Sequence, residues 1–134
     1  MRLRVLLLCF LLSSPAWAGI VDQVRFALAQ NSFSAAESAL NSYRSQQGVT
    51  PEYLDAYSWM ARAALDQGQY DKAAVYAKQT QTLVVEQLKT RPLDADPHLP
   101  IALGAALEVR SQVLAKQGQR TAAVALLQSA LRTY

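Results

Sequence analysis

The phrase Gln67-Gly68-Gln69 returns 50 residues later as Gln117-Gly118-Gln119. Each copy is followed by an alanine–valine pair, Ala74-Val75 and Ala123-Val124, which align only after a one-residue slip beyond the glycine. A lone glycine between two helical runs is a stop signal, because it takes the left-handed backbone that ends a helix without steric cost. A third stop is written differently. In "QNSFSAA", Gln30–Ala36, Asn31 stands where the other two copies have glycine, and asparagine tolerates the same backbone. All three phrases carry a pair of small residues four to six positions after the stop, where two helices must approach closely. The doubled phrase thus reads as a helix stop rather than a binding motif, and three stops divide the chain into three antiparallel helical hairpins. No segment alternates like a strand.

Six helical runs fit this punctuation. Residues 19–30 place Ile20, Val24, Ala27 and Leu28 on one face, at the three-to-four spacing of an amphipathic helix. Residues 34–46 turn Ala36, Ala39, Leu40 and Tyr43 inward, and Gly48 closes them. Thr50-Pro51-Glu52 is a helix start: a cap, a proline at the first helical position, an acid in the first turn. The third helix runs to Gln67 with Tyr53, Tyr57, Met60, Ala61 and Ala64 on one stripe. The fourth, from Asp71 to Thr90, carries Ala73, Tyr76, Ala77, Thr80, Leu83, Val84 and Leu88. "RPLDADPHLP" then breaks the chain with three prolines. Asp96-Pro97 repeats the cap-then-proline start, and the fifth helix runs to Gln117 with Ile101, Ala105, Val109, Val113 and Leu114 as its apolar face. The sixth starts near Thr121, with Val124, Leu127, Ala130 and Leu131. A composition rich in alanine, leucine and glutamine supports helices throughout.

The spacing of the stops is uneven. Asn31 and Gly68 are 37 residues apart, Gly68 and Gly118 are 50. Against a 34-residue helical repeat the second interval carries an excess of 16. Divided between the fourth and fifth helices, that is about eight residues each, or ~12 Å at 1.5 Å per residue. The expectation is a lengthened pair tipped by the proline loop.

The first 18 residues read as an address rather than as fold. Arg2 and Arg4 precede an apolar run, Val5 to Leu12. Ser13, Ser14 and Pro15 break it, and Ala16-Trp17-Ala18 is a cleavage signature. The run falls far short of the ~20 residues that span a bilayer. The expectation is an exported protein, periplasmic or secreted, with a mature domain of residues 19–134. Cys9, the single cysteine, lies inside this signal behind Leu8, so the mature chain has no disulfide, thiol chemistry or thiolate metal site. Removing Arg2 and Arg4 lowers the formal charge from +3 to +1 and leaves no lysine/arginine run. Nucleic-acid and membrane-surface binding then have no electrostatic basis.

At this point the chain resembles the tetratricopeptide-repeat family. In the middle unit the residues that carry the resemblance are Tyr57, Met60-Ala61, Gly68, Tyr70 and Ala73. The first unit offers Ile20, Val24, Asn31, Phe33, Ala36 and Leu40, and the third Leu107, Leu114, Gly118, Ala123, Leu127 and Ala130. The pattern departs at Arg120, which replaces the turn aromatic, at Arg110 in an apolar position, and in the absence of the closing proline. A generic helical bundle is the alternative. The resemblance implies an all-α stack of three hairpins, with binding along a concave face lined by outward positions of the first helix of each pair. On this chain those are Arg25, then Asp55, Ser58, Arg62 and Asp66, then Glu108, Gln112 and Lys116. They would hold an extended peptide by polar contacts. The alternative is a solvated face with ion pairs such as Arg62–Asp66. Trp59 stands on the same polar side, as packing against the first helix or as an anchor for a partner.

A narrower likeness covers Asp94–Gln119, which is similar to the helical N-terminal region of exported bacterial thioredoxin-like reductases. No W-C-x-x-C is present, so no redox residue carries over. The likeness implies a second reading: the non-catalytic front part of a longer thiol–disulfide oxidoreductase. The sixth helix agrees with either a following domain or self-association, because Leu126, Leu127 and Leu131 leave its outer face apolar where a repeat stack needs a polar one.

Chemistry-bearing clusters are few. "DADPH" brings together Asp94, Asp96 and His98 at alternate positions, but one histidine does not make the usual zinc set, and Asp96 reads as the cap of the fifth helix. No nucleophile pairs with a histidine, and Gly68 and Gly118 are singletons rather than a phosphate loop. The expectation is a non-enzyme without cofactor or metal. Its partner is a protein or peptide, not a nucleic acid or membrane. A solute-binding helical domain is the third reading.

Overall fold

The computed structural model describes residues 18–134. The signal-peptide reading of residues 1–18 lies, apart from Ala18, outside them. Six α-helices follow one another: α1 (Ile20–Ala29), α2 (Phe33–Gln47), α3 (Pro51–Asp66), α4 (Tyr70–Gln87), α5 (His98–Lys116) and α6 (Arg120–Thr133). A short 3₁₀ turn, Leu93–Ala95, sits before α5, and no strand occurs among the described residues. The fold is all-α and repeat-like. No helix is long and apolar enough to cross a membrane among the described residues.

The three stops build the same turn. Asn31, Gly68 and Gly118 have φ of 57°, 71° and 78°. In each turn two amide groups close back onto the helix just ended. Gly68 N–H donates to the Leu65 carbonyl and Gln69 N–H to Ala64, both at 2.9 Å. The pairs Asn31–Leu28 with Ser32–Ala27, and Gly118–Ala115 with Gln119–Leu114, repeat that pattern. This is the Schellman arrangement, which satisfies the last free carbonyls of a helix. The residue after the stop caps the next helix directly, so each hairpin turns in three residues. At Gly68 and Gly118 nothing lies within 4 Å of where a Cβ would stand. The backbone conformation, not crowding, therefore selects glycine.

The turns also settle the register of the echo. Ala36, Ala73 and Ala123 each lie five residues after the stop, each in the first turn of its helix and each buried. The one-residue slip that aligns Ala74-Val75 with Ala123-Val124 has no structural counterpart. Val75 and Val124 are both exposed.

Thr50 caps α3 as its sequence implies, its hydroxyl accepting from Tyr53 N–H at 3.1 Å with Pro51 in the first turn. The expected cap at Asp96 is displaced: Pro97 holds the cap position of α5 without a side-chain bond, and Asp96, one residue earlier, accepts from His98 N–H at 2.9 Å. Three starts come one residue earlier than the spacing suggests: α2 begins at Phe33, under the Ser32 cap, α4 at Tyr70 and α6 at Arg120. The expected lengthening is only partly there. α4 has 18 residues against 15 in α2, and α5 has 19 against 16 in α3. The extra chain is split almost evenly: the helices gain three residues each, and the connection, residues 88–97, replaces residues 48–50 of the first crossing. Pro92 and Pro97 fall in that connection, and α5 starts at His98 behind Pro97. There is no two-turn finger.

α1, α3 and α5 form an inner row in which α3 packs on both neighbours. α2 packs on α1 and α3, α4 on α3 and α5, and α6 on α5 alone. Two clusters fill the spaces. The larger joins Ile20, Val24, Leu40, Leu54, Met60 and Leu99. The smaller is mostly alanine: Ala61, Ala64, Ala73 and Ala77 against Val109 and Val113. Alanine lets α3, α4 and α5 approach closely, whereas Leu54, fully buried, contributes roughly 2–3 kcal/mol by leaving water. Ile101, expected on the core face of α5, is exposed, and Leu99, Ala102 and Ala106 take that side.

A row of tyrosines crosses the outer side of these interfaces. Tyr43, Tyr53, Tyr57 and Tyr76 lie in sequence with ring centroids 6.2, 5.9 and 5.7 Å apart. The Tyr76 hydroxyl donates to Glu37 at 2.7 Å and Tyr57 to Gln79 at 2.6 Å. Lys72 lies 3.9 Å from the centre of the Phe33 ring. These side chains join α4 to α2. Burial, reinforced by Tyr53 and Glu37, pushes the Tyr57 phenol up to about 12. Burial and the bond to Glu37 raise Tyr76 as well.

Candidate binding hollow

The inner row leaves a hollow of about 650 Å³ on the face of α1, α3 and α5. Five of the eight residues expected on a concave face line it: Arg25, Arg62, Asp66, Glu108 and Gln112. They come from three helices, and the repeat register brings them together. Lys116 is exposed but lies beyond the lining.

Asp55 and Ser58 do not belong to this face. Both are buried, at 5% and 1% exposure. An expectation of outward polar side chains fails here because α3 is flanked on two sides. These two polar residues lie in its packed interior rather than facing water. Each has a partner, as a buried polar group requires. Asp55 Oδ2 meets His98 Nδ1 at 2.7 Å, and the Ser58 hydroxyl donates to the Asp55 carbonyl at 2.6 Å. The histidine of the "DADPH" loop is thereby tied to α3, and the Asp96 carboxylate accepts from the His98 N–H. No three-membered group of histidine, cysteine and carboxylate residues suited to a metal occurs among the described residues.

Trp59 lies in the wall of the hollow. It packs against the larger core cluster, and the Arg25 guanidinium carbon lies 4.4 Å from its ring centre. Arg62 approaches the same ring at 5.6 Å. Both readings of this tryptophan therefore meet in one place: it is packing between α1 and α3, and it is aromatic surface in the hollow. Its sequence signal was an aromatic on an otherwise polar side.

The charges are unevenly engaged. Arg62 pairs with Glu108 at 3.0 Å, joining α3 to α5 instead of forming the i,i+4 pair with Asp66. Gln112 donates to the same glutamate at 3.1 Å. Both partners of the ion pair are more than a third exposed, so it contributes little to stability, at most about 1 kcal/mol. Arg25 takes part in no ion pair among the described residues. Stacked on tryptophan, it keeps guanidinium donors available to a carbonyl or carboxylate. Chemically, among the described residues, the hollow offers an aromatic surface, an arginine outside any ion pair and a polar rim.

No known protein family, curated protein or solved structure matches the chain.

Proposed function

We propose that this chain is an exported, non-catalytic scaffold of the tetratricopeptide-repeat kind, which binds a protein or peptide partner along the hollow of its inner helices. The observation that carries this reading is the Arg25–Trp59–Arg62 stack in a hollow formed by three successive inner helices. Stacked guanidinium groups are held in place before a ligand arrives, so little side-chain freedom is lost on binding. Tryptophan and arginine are the residue types that concentrate binding energy at interfaces. An extended peptide suits a site that runs across helices, with backbone groups meeting Gln112 and Asp66 and an acidic or carbonyl group meeting Arg25. Export rests on the Arg2/Arg4 start, the apolar Val5–Leu12 run and the Ala16-Trp17-Ala18 signature.

Trp59 supplies its own test. The chain has two tryptophans, and Trp17 falls in the proposed signal. With a start at Gly19, Trp59 is the single tryptophan and can be excited apart from the six tyrosines, and N-terminal sequencing of the exported protein checks that start. A phage-displayed library of linear peptides is selected on the purified chain. The selected peptide is expected to change Trp59 fluorescence and to lose at least tenfold in affinity with Arg25→Ala. A selected peptide whose binding is indifferent to both Arg25→Ala and Trp59→Phe sinks the hollow as the site.

A further inference from the structure

Two charges in the hollow are exceptions to the chain's own repeat. Counted back from the stops, Arg25, Arg62 and Gln112 hold one place on α1, α3 and α5, six residues before Asn31, Gly68 and Gly118. Arg62 reaches across to Glu108 on the next inner helix at 3.0 Å. The place on α3 that matches Glu108 is Ser58, which is buried and bonded within its own helix. The carboxylate that would neutralise Arg25 is therefore missing from the pattern. The Arg25 side chain lies over Trp59 instead, and the residue is exposed.

Asp66 is an exception of the opposite sign. It is the last residue of α3, two before the stop. The C-terminal end of a helix is the negative pole of its dipole, which favours a cation and disfavours an acid. The same place on α5 obeys that rule with Lys116, and on α1 it is the neutral Ala29. Arg62, one turn back, stands at the i,i+4 spacing for an ion pair, but it is engaged by Glu108. Asp66 is exposed and joins no ion pair among the described residues. A carboxylate thus stands where its own helix opposes it, and no cation among the described residues offsets the cost.

Both residues line one hollow, which therefore has two poles. The Arg25–Trp59 end suits an anion and the Asp66 end a cation. Trp59 and Asp66 are seven residues apart on α3, ~10 Å along its axis. Between them the charge of Arg62 is already balanced by Glu108. An extended chain with three residues per turn rises ~9 Å over three positions and returns its side chains to the same side. Its repeat matches the separation of the poles. A uniformly acidic segment would set like charge against Asp66, and a uniformly basic one against Arg25.

We infer that the segment bound in the hollow carries an acidic and a basic side chain three positions apart, the acid on Arg25 and the base on Asp66. This rests on the hollow being the binding site and adds the charge pattern of its occupant. A carboxylate accepts from several donors at once, so a backbone contact does not exhaust Asp66.

Three phage libraries of linear peptides test this, each varied only in uncharged residues. One fixes a glutamate and a lysine three positions apart, in both orders. The others fix two glutamates or two lysines at the same spacing. Binders that depend on Arg25 should come from the first library. When the lysine of such a peptide is replaced by glutamine, its affinity should fall about threefold by calorimetry, the scale of an exposed ion pair. Asp66→Asn should abolish that difference. Asp66→Lys should weaken the original peptide about tenfold or more, by setting like charges together. Replacing the peptide's lysine by glutamate should restore most of that loss. Asp66→Lys gives α3 the residue that α5 carries at the same exposed place, so the fold is kept. An Arg25-dependent peptide that is indifferent to Asp66→Lys, or equal yields from the three libraries, overturns the inference and leaves the hollow standing as the site. Libraries in which no binder depends on Arg25 or Trp59 overturn the hollow as the site, and this inference with it.

Discussion

The α3–α4 and α5–α6 hairpins begin from nearly the same words and end in opposite situations. Their turns share one geometry, their first buried alanines share one register, and their inner helices differ by three residues in length. Yet α3 is covered on nearly every side, while α5 is open along Gly104 and Glu108. Local rules make the hairpin, and the next hairpin decides which of its faces is core. Inside α3, the aspartate is satisfied by His98 of α5, whereas the serine bonds back to the Asp55 carbonyl of its own helix. Leucine is left outside on α6 because nothing arrives among the described residues.

Substitutions at matched positions separate the two effects. The largest response belongs to the covered hairpin. Leu54→Ala should cost about 3 kcal/mol in urea unfolding, because it leaves a cavity in the seam between α3 and α5. A loss below about 1 kcal/mol would mean that the seam is not close-packed. Asp55→Ala comes next and gives α3 the residue that α5 has at the equivalent place, Ala105. It should cost about 2 kcal/mol by removing the His98 partner, while Asp55→Asn retains a hydrogen bond and should lose less. Equal costs for Ala and Asn would show that the side chain acts by filling space.

The turns should not feel the difference. Gly68→Ala and Gly118→Ala are each expected to cost about 1 kcal/mol, since both put a Cβ on a left-handed residue in open space. A much larger loss at 68 would show that cover from neighbouring helices reaches the turn itself. In the open hairpin, Gly104→Ala should stabilise by about 0.5–1 kcal/mol, because glycine weakens a helix interior and the added methyl meets nothing. The smallest effect depends on pH. Tyr57 is raised to about 12 in the fold, against about 10 for a free phenol. A raised acid contributes stability that is fully present below pH ~10 and is lost as pH climbs through about 12. Tyr57→Phe should flatten the fall in melting temperature over that window. An equally steep fall in the variant would assign the alkaline loss to other groups. The counterpart of Tyr57 on α5 is Leu107, so the open hairpin adds nothing to this dependence.

What the residues disclose by themselves follows the range of the forces involved. A left-handed stop, a capping threonine and a proline at the first helical position act within one turn of chain. Asn31, Gly68, Gly118 and Thr50 could therefore be read without neighbours, and so could the six helices they punctuate. Arg25, Arg62, Asp66, Glu108 and Gln112 were legible as one face through the repeat resemblance, which implies that outward positions of successive inner helices line one side. Asp55 and Ser58 came with the same implication, and it misplaced them. Their burial depends on α5 crossing over α3 and on His98 reaching back across 43 positions. The extra chain between Gly68 and Gly118 could be counted but not located, since a proline loop and a longer helix use residues equally well. Only packing could divide it between residues 88–97 and the two helices, could pair Arg62 with Glu108 rather than Asp66, and could leave Leu131 bare. Backbone preferences are local and travel with the sequence, whereas burial is a property of what stands opposite.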